Sequence, residues 1–171
     1  VEKREALKSK VASFMSGDIS SFESGLPECA RWTPSDVSDI EQKANSGDCG
    51  WLKEPDEDIR ALKSLVLYGL KGISAYAEHA YQIKKKHRKI FVFMMETLAT
   101  LEDPSVDAQT LTELVLQTGA MGVETMSLLD EANREGYGEK EITTVNLGVR
   151  DNPGILISGH DLVDLEELLE Q

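Results

Sequence analysis

Cysteine is scarce in this chain: Cys29 and Cys49 are the two among 171 residues. Two thiolates are too few for a four-cysteine iron–sulfur or zinc site within the chain, and their spacing matches no metal knuckle. A disulfide between them stays open, but nothing else points to an oxidising compartment, and both read as ordinary thiols. Basic charge is also short, with 18 Lys and Arg against 31 Asp and Glu and a net charge of −13. That balance argues against nucleic acid as the main partner, because binding phosphates needs a basic surface. No uncharged run approaches membrane-spanning length and no charged-then-apolar leader opens the chain, so a soluble, cytoplasmic protein without membrane contact is expected. A phosphate loop, GxGxxG, a nucleophile elbow and a zinc-protease helix are missing as well. Motifs alone name no reaction and no catalytic residue.

What is present is patterned. Apolar residues make up 40% of the chain, enough for one domain, or for one domain and a stub of the next. Positions 1 to 15 place Ala6, Leu7, Val11, Phe14 and Met15 near helical spacing. Positions 25 to 55 are punctuated by Pro27, Pro34, Gly47, Gly50 and Pro55, which predicts turns and short helices, one of them over Ser35 to Ala44. Leu26, Trp32 and Trp51 are the expected anchors of that segment.

The strongest helix signal begins at Pro55-Asp-Glu-Asp58 and carries Ile59, Leu62, Val66, Leu70, Ile73, Ala77 and Ala80 on one face. Gly69 and Gly72 interrupt it at a cost in propensity and are expected to admit a neighbouring helix. A second helix covers about Arg88 to Leu101. Ser105 is the expected cap of a third, which Gly119 and Gly122 should loosen before Gly138 stops it. Three long helices with short connections predict an antiparallel three-helix bundle over residues 1–137.

Beyond Gly138 the character changes. Ile142-Thr-Thr-Val145 is β-prone, and Ile155-Leu-Ile157 is a short apolar run between Pro-Gly and Ser-Gly. Leu162, Leu165, Leu168 and Leu169 then mark a helix capped by Asp161 or Ser158. Residues 138–171 therefore read as the first β-α unit of a Rossmann-like α/β domain, truncated. The chain opens on Val1 and ends one helix after that turn, so a piece of a longer protein is expected.

His160 is the foremost candidate for chemistry. A histidine after a strand is commonly a turn or capping residue. Here Ser158-Gly159 lets the backbone approach closely and a helix N-terminus follows, a position where ligands gather in open α/β sheets. Asp161 could orient the imidazole or simply cap the helix. His79 lies inside the strongest helix and reads as a packed interface histidine. Its neighbour Glu78 falls on another face, which denies the pair the Glu-x-x-His geometry of di-iron bundles. His87 belongs to the basic run Lys84-Lys85-Lys86-His87-Arg88-Lys89, either a solvated link or a docking patch for an acidic redox partner. Met94, Met95, Met121 and Met126 are expected core filler.

Several segments together carry a resemblance: Leu26-Pro-Glu-Cys-Ala-Arg-Trp32, Leu67-Tyr-Gly-Leu-Lys-Gly-Ile-Ser-Ala-Tyr-Ala-Glu-His-Ala80, Leu128-Leu-Asp-Glu-Ala-Asn133, Tyr137-Gly, Ile142-Thr-Thr-Val145 and Asn152-Pro-Gly-Ile-Leu-Ile-Ser-Gly-His-Asp-Leu162. The chain resembles the hybrid-cluster protein family, also called prismane proteins or hydroxylamine reductases. The resemblance implies an oxidoreductase of low-oxygen metabolism with a 4Fe-4S or 2Fe-2S cluster and a hybrid iron–sulfur–oxygen cluster. Such proteins reduce hydroxylamine to ammonia, and nitric oxide reduction is also attributed to members. The family holds its hybrid cluster with one histidine, two glutamates and several cysteines. Only the histidine maps here, onto His160, as a ligand to an iron of the hybrid cluster.

Neither Cys29 nor Cys49 falls in a family ligand motif. The resemblance thus implies an internal piece: the second helical bundle of the family's N-terminal domain, residues 1–137, and the start of the next domain, residues 138–171. Such a piece is expected to hold no cluster and to be inactive by itself. The whole protein is expected to meet hydroxylamine and an electron-donor redox protein, and the piece to self-associate through the exposed strand edge at Ile155-Leu156-Ile157. The rival reading is a self-sufficient acidic helical module for protein interaction.

Overall fold

The computed structural model describes residues 2–14, 24–47, 53–159 and 162–171, and among these every regular element is a helix. Compactness divides the chain into two units, Val1–Arg60 and Ala61–Gln171.

The N-terminal unit holds α1 (Glu2–Phe14), α2 (Glu28–Arg31) and α3 (Val37–Asn45). Arg4 reaches from α1 to donate to the Trp32 carbonyl at 2.6 Å and to Thr33 Oγ1 at 2.6 Å. Lys43 of α3 pairs with Glu28 of α2 at 2.6 Å. Asp36 caps α3 by accepting from the Asp39 N–H at 3.0 Å, while the Asp39 carboxylate accepts from the Ser35 N–H at 2.8 Å. On α1 only Ala12 is buried, and Leu7 and Phe14 of the expected apolar stripe are exposed. Trp51 and Cys49 lie outside the described residues.

The long helices are α4 (Glu57–Gln82), α5 (Arg88–Leu101) and α6 (Ala108–Tyr137). Asp56 opens α4: its Oδ1 accepts from the N–H groups of Asp58 and Ile59 at 2.9 and 3.1 Å, so two of the helix's orphan donors are met. Val66, Leu70, Ile73, Ala77 and Ala80 are buried at the three- and four-residue steps the sequence prescribes. Four of them form the core with Ile90 of α5 and Met121 of α6, flanked by Phe93, Met94, Leu101, Leu114, Val115 and Leu128. Each fully buried side chain, such as Ile90, contributes about 2 kcal/mol of transfer free energy.

Helix α4 ends in a Schellman arrangement. The Lys85 N–H donates to the Ala80 carbonyl at 2.9 Å and the Lys84 N–H to the Tyr81 carbonyl at 3.0 Å. Lys84 itself is left-handed, with φ 65°, where glycine is usual. The chain then reverses. Lys85, just before α5, pairs with Glu131 and Glu135 near the end of α6, and Lys89 with Glu124 one helical stretch earlier. That order makes α5 antiparallel to α6. Gly69 faces Thr118, and Gly136 approaches Ile83, so α4 runs parallel to α6. The helical class read from the sequence stands.

Three local expectations are corrected. Ser105 is not the cap of α6. It donates to Asp103 through its N–H and Oγ at 2.8 and 2.6 Å, and Asp107 takes the capping position by accepting from the Thr110 N–H at 2.8 Å. Gly119 and Gly122 do not interrupt α6, which runs through both as 30 continuous residues because its packed neighbours outweigh the propensity cost. Met95 and Met126 are exposed and do not fill the core, unlike Met94 and Met121.

The β-α unit of a Rossmann-like domain is also overturned: among the described residues there is no strand. Residues 139–157 follow Gly138, whose φ of 91° ends α6, and carry no helix or ladder. Ile142, Leu147, Val149, Ile155 and Leu156 are at least nine-tenths exposed. β-propensity reflects packing on a sheet and pairing with a neighbour, and no second strand is available among the described residues. The following helix is present as α7 (Leu162–Glu170).

Candidate functional site

Beside the later turns of α4 and α6 lies a cleft of about 160 Å³, lined by Tyr76, His79, Gln82, Ile83, Leu129, Asn133, Leu162 and Val163. Its position follows from the helical repeat. Tyr76, His79 and Ile83 are three and four residues apart on α4, and Leu129 and Asn133 are four apart on α6, so each set shares one face. Leu162 and Val163 open α7, and Tyr137 Oη donates to Glu166 Oε2 of that helix at 3.3 Å. His79 is half-buried there between helices, as the sequence suggests, and Glu78 is exposed on another face.

The basic run forms the turn from α4 to α5, and it divides into paired and solvated charges. Lys85 contacts Glu135 at 2.7 Å and Glu131 at 3.3 Å. His87 Nδ1 lies 3.2 Å from Glu124, whose other oxygen is 2.6 Å from Lys89. The Lys89 hydrogen bond holds the Glu124 carboxyl below its ordinary range, and Lys85 does the same to Glu135. Glu135, in return, raises Lys85. Glu124 also brings negative charge to the start of α5, whose first turn contains no acidic residue and whose cap, His87, makes no side-chain capping bond. Lys84, Lys86 and Arg88 are exposed and form no ion pair among the described residues.

His160 and Asp161 lie outside the described residues. Among the described residues no three His, Cys, Asp or Glu side chains gather where they could hold a metal ion, and Cys29 is exposed. These donors do not by themselves fit an iron–sulfur cluster. No helix among the described residues is long and apolar enough to cross a membrane. The cleft was not legible in advance. The signal for it is the pairing of α4 and α6 faces, which only packing reveals.

The model of the Prismane/CO dehydrogenase family matches residues 2–171. A hydroxylamine reductase of Halothermothrix orenii is 48% identical over 171 residues, which is 99% of this chain and 30% of that protein. One from Clostridium perfringens is 49% identical over 168 residues, 98% of this chain and 30% of its own length. One from Methanocaldococcus jannaschii is 51% identical over 146 residues, 85% of this chain and 27% of that protein. The chain thus spans about 30% of the length of the first of these curated relatives. These matches do not favour the rival reading, a self-sufficient acidic interaction module.

Proposed function

This chain belongs to the Prismane/CO dehydrogenase family, and we propose that it is part of an iron–sulfur oxidoreductase whose substrate is hydroxylamine. The identity to hydroxylamine reductases along nearly the whole chain carries this reading. The reaction takes two electrons and two protons, breaks the N–O bond and yields ammonia and water. Nitric oxide is a second candidate substrate.

Within that protein, residues 1–137 form a helical bundle and residues 138–171 belong to the next domain. His160 supplies one imidazole to an iron of a hybrid iron–sulfur–oxygen cluster. The other ligands, and those of a second 4Fe-4S or 2Fe-2S cluster, would come from parts of the longer protein outside this chain. The setting is cytoplasmic. The electron donor is an acidic redox protein, and Lys84, Lys86 and Arg88 supply the exposed cations that would meet it.

The test is a preparation, without oxygen, of the full-length protein that contains this chain. Bound iron and a hydroxylamine-dependent oxidation of a reduced dye are expected. A preparation free of iron and inert toward hydroxylamine sinks the reading.

A further inference from the structure

The cleft at Tyr76 and His79 is one end of a longer groove. On α4, Leu65, Tyr68, Gly72, Tyr76 and His79 recur at three- and four-residue steps, and on α6 so do Gly119, Gly122, Met126, Leu129 and Asn133. Tyr76 and His79 line the cleft together with Leu129 and Asn133, so the two stripes face the same side. Gly69 meets Thr118 earlier along both helices, so α4 and α6 stay side by side over that length. Neither stripe carries an Asp, Glu, Lys or Arg, although such residues make up 29% of the chain. Leu65, Tyr68, Tyr76 and Met126 stand on them about half exposed. The solvent face of a helix normally holds charge, and contiguous exposed apolar surface marks an interaction site. Among the described residues, a Cβ added at Gly72, Gly119 or Gly122 has no neighbour within 4 Å. Large apolar side chains with glycine notches between them accept the ridge of another helix, and the notches let its backbone come close.

Resting on the reading of this chain as part of a longer protein, we propose that the groove between α4 and α6 seats a helix from the remainder of the same polypeptide. That helix lays an uncharged, apolar ridge over Gly72 and Gly119. The chain spans 30% of the length of the hydroxylamine reductase from Halothermothrix orenii, which leaves ample chain to supply it. Helix α7, assigned to the next domain, already places Leu162 and Val163 at one end of the groove, so the interface begins within the described residues. Shape disfavours a second copy of the same face. An isologous pair would set notch against notch and leave a void, which close-packed interfaces do not keep. From Leu65 to His79 the groove runs roughly 21 Å, room for about four turns of helix.

The experiment uses the full-length protein with Leu65→Cys and, separately, Met126→Cys, and reads maleimide labelling at the substituted site by peptide mass. Each variant should react at least about tenfold more slowly than Lys84→Cys on the exposed turn, because the groove must open first. Labelling as fast as in Lys84→Cys overturns the proposal. So does protection that fades on dilution, which would give the groove to a second copy. Gly72→Ala supplies a test by sign. Over open space an alanine raises helix stability, whereas under a closely seated helix it overpacks, so the thermal midpoint should fall. A raised midpoint removes the helix from Gly72. Neither readout needs iron or turnover. Protection in a protein inert toward hydroxylamine keeps the groove and loses the reductase reading, and turnover with fast labelling keeps the reductase and overturns the groove.

Discussion

A Cβ placed on Gly69 would stand 2.5 Å from Thr118 Cγ2, a separation that real side chains do not tolerate. Thr118 is 5% exposed, and its hydroxyl donates to the Leu114 carbonyl at 2.7 Å. Its methyl cannot swing aside without breaking that bond, and β-branched side chains resist such rotation in helices. Gly69→Ala should therefore destabilise the protein by about 1 kcal/mol net, overpacking outweighing the gain in helix propensity. In a Thr118→Ala background the same change should become neutral or stabilising. Urea unfolding of the four-member cycle measures this, and additive effects would show that the two residues do not meet.

Lys84 occupies a left-handed position at the end of α4. A non-glycine residue there bears a steric cost, so Lys84→Gly should raise stability by about 1 kcal/mol, read from the urea midpoint. A lower midpoint would mean that the lysine side chain contributes more than its backbone costs.

The Lys85–Glu135 pair has a defined pH window. Glu135 has a folded pKa lowered by Lys85, so its stabilising effect is complete above the ordinary 4.5 and fades as pH falls through the lower folded value. Lys85 is raised by Glu135, so its share is complete below the ordinary 10.5 and fades as pH rises through the higher folded value. Lys85→Met should lower the thermal midpoint modestly between those limits and leave both extremes unchanged. A uniform loss at all pH values would assign the effect to packing of the lysine stem instead.

His160→Ala in the full-length protein should weaken iron retention at least about tenfold, since even groups that merely orient a metal ligand have effects of that order. The thermal midpoint of the helical bundle should barely move. Full iron content in the variant would remove His160 from the ligand set.

The helices were legible because their signals are local. The Val66–Leu70–Ile73–Ala77 face and the acidic start of α4 are fixed by spacing and capping chemistry, and both recur in the structure. Ser105 misled because Ser and Asp both cap well, and the choice between them depended on the Asp103 turn. Ile142 to Val149 misled for a deeper reason: a strand is a relation between two segments, and β-prone residues state only half of it. Gly69 and Gly72 look alike in sequence, yet only Gly69 meets another helix. His160 was singled out by its place after Ser158-Gly159 and by resemblance, and it lies outside the described residues, whereas the cleft at His79 needed the register of α4 against α6.

Unequal length is what creates that register's vacancy. Helix α5 has 14 residues and α6 has 30, so α5 falls short by roughly 24 Å at 1.5 Å per residue. Beside the final turns of α6 the bundle is completed by the turn around Lys85 and the start of α7, and neither is bulky enough to fill the trough. A chain that grew two more turns onto the front of α5 would gain apolar burial and close the hollow that His79 and Asn133 line.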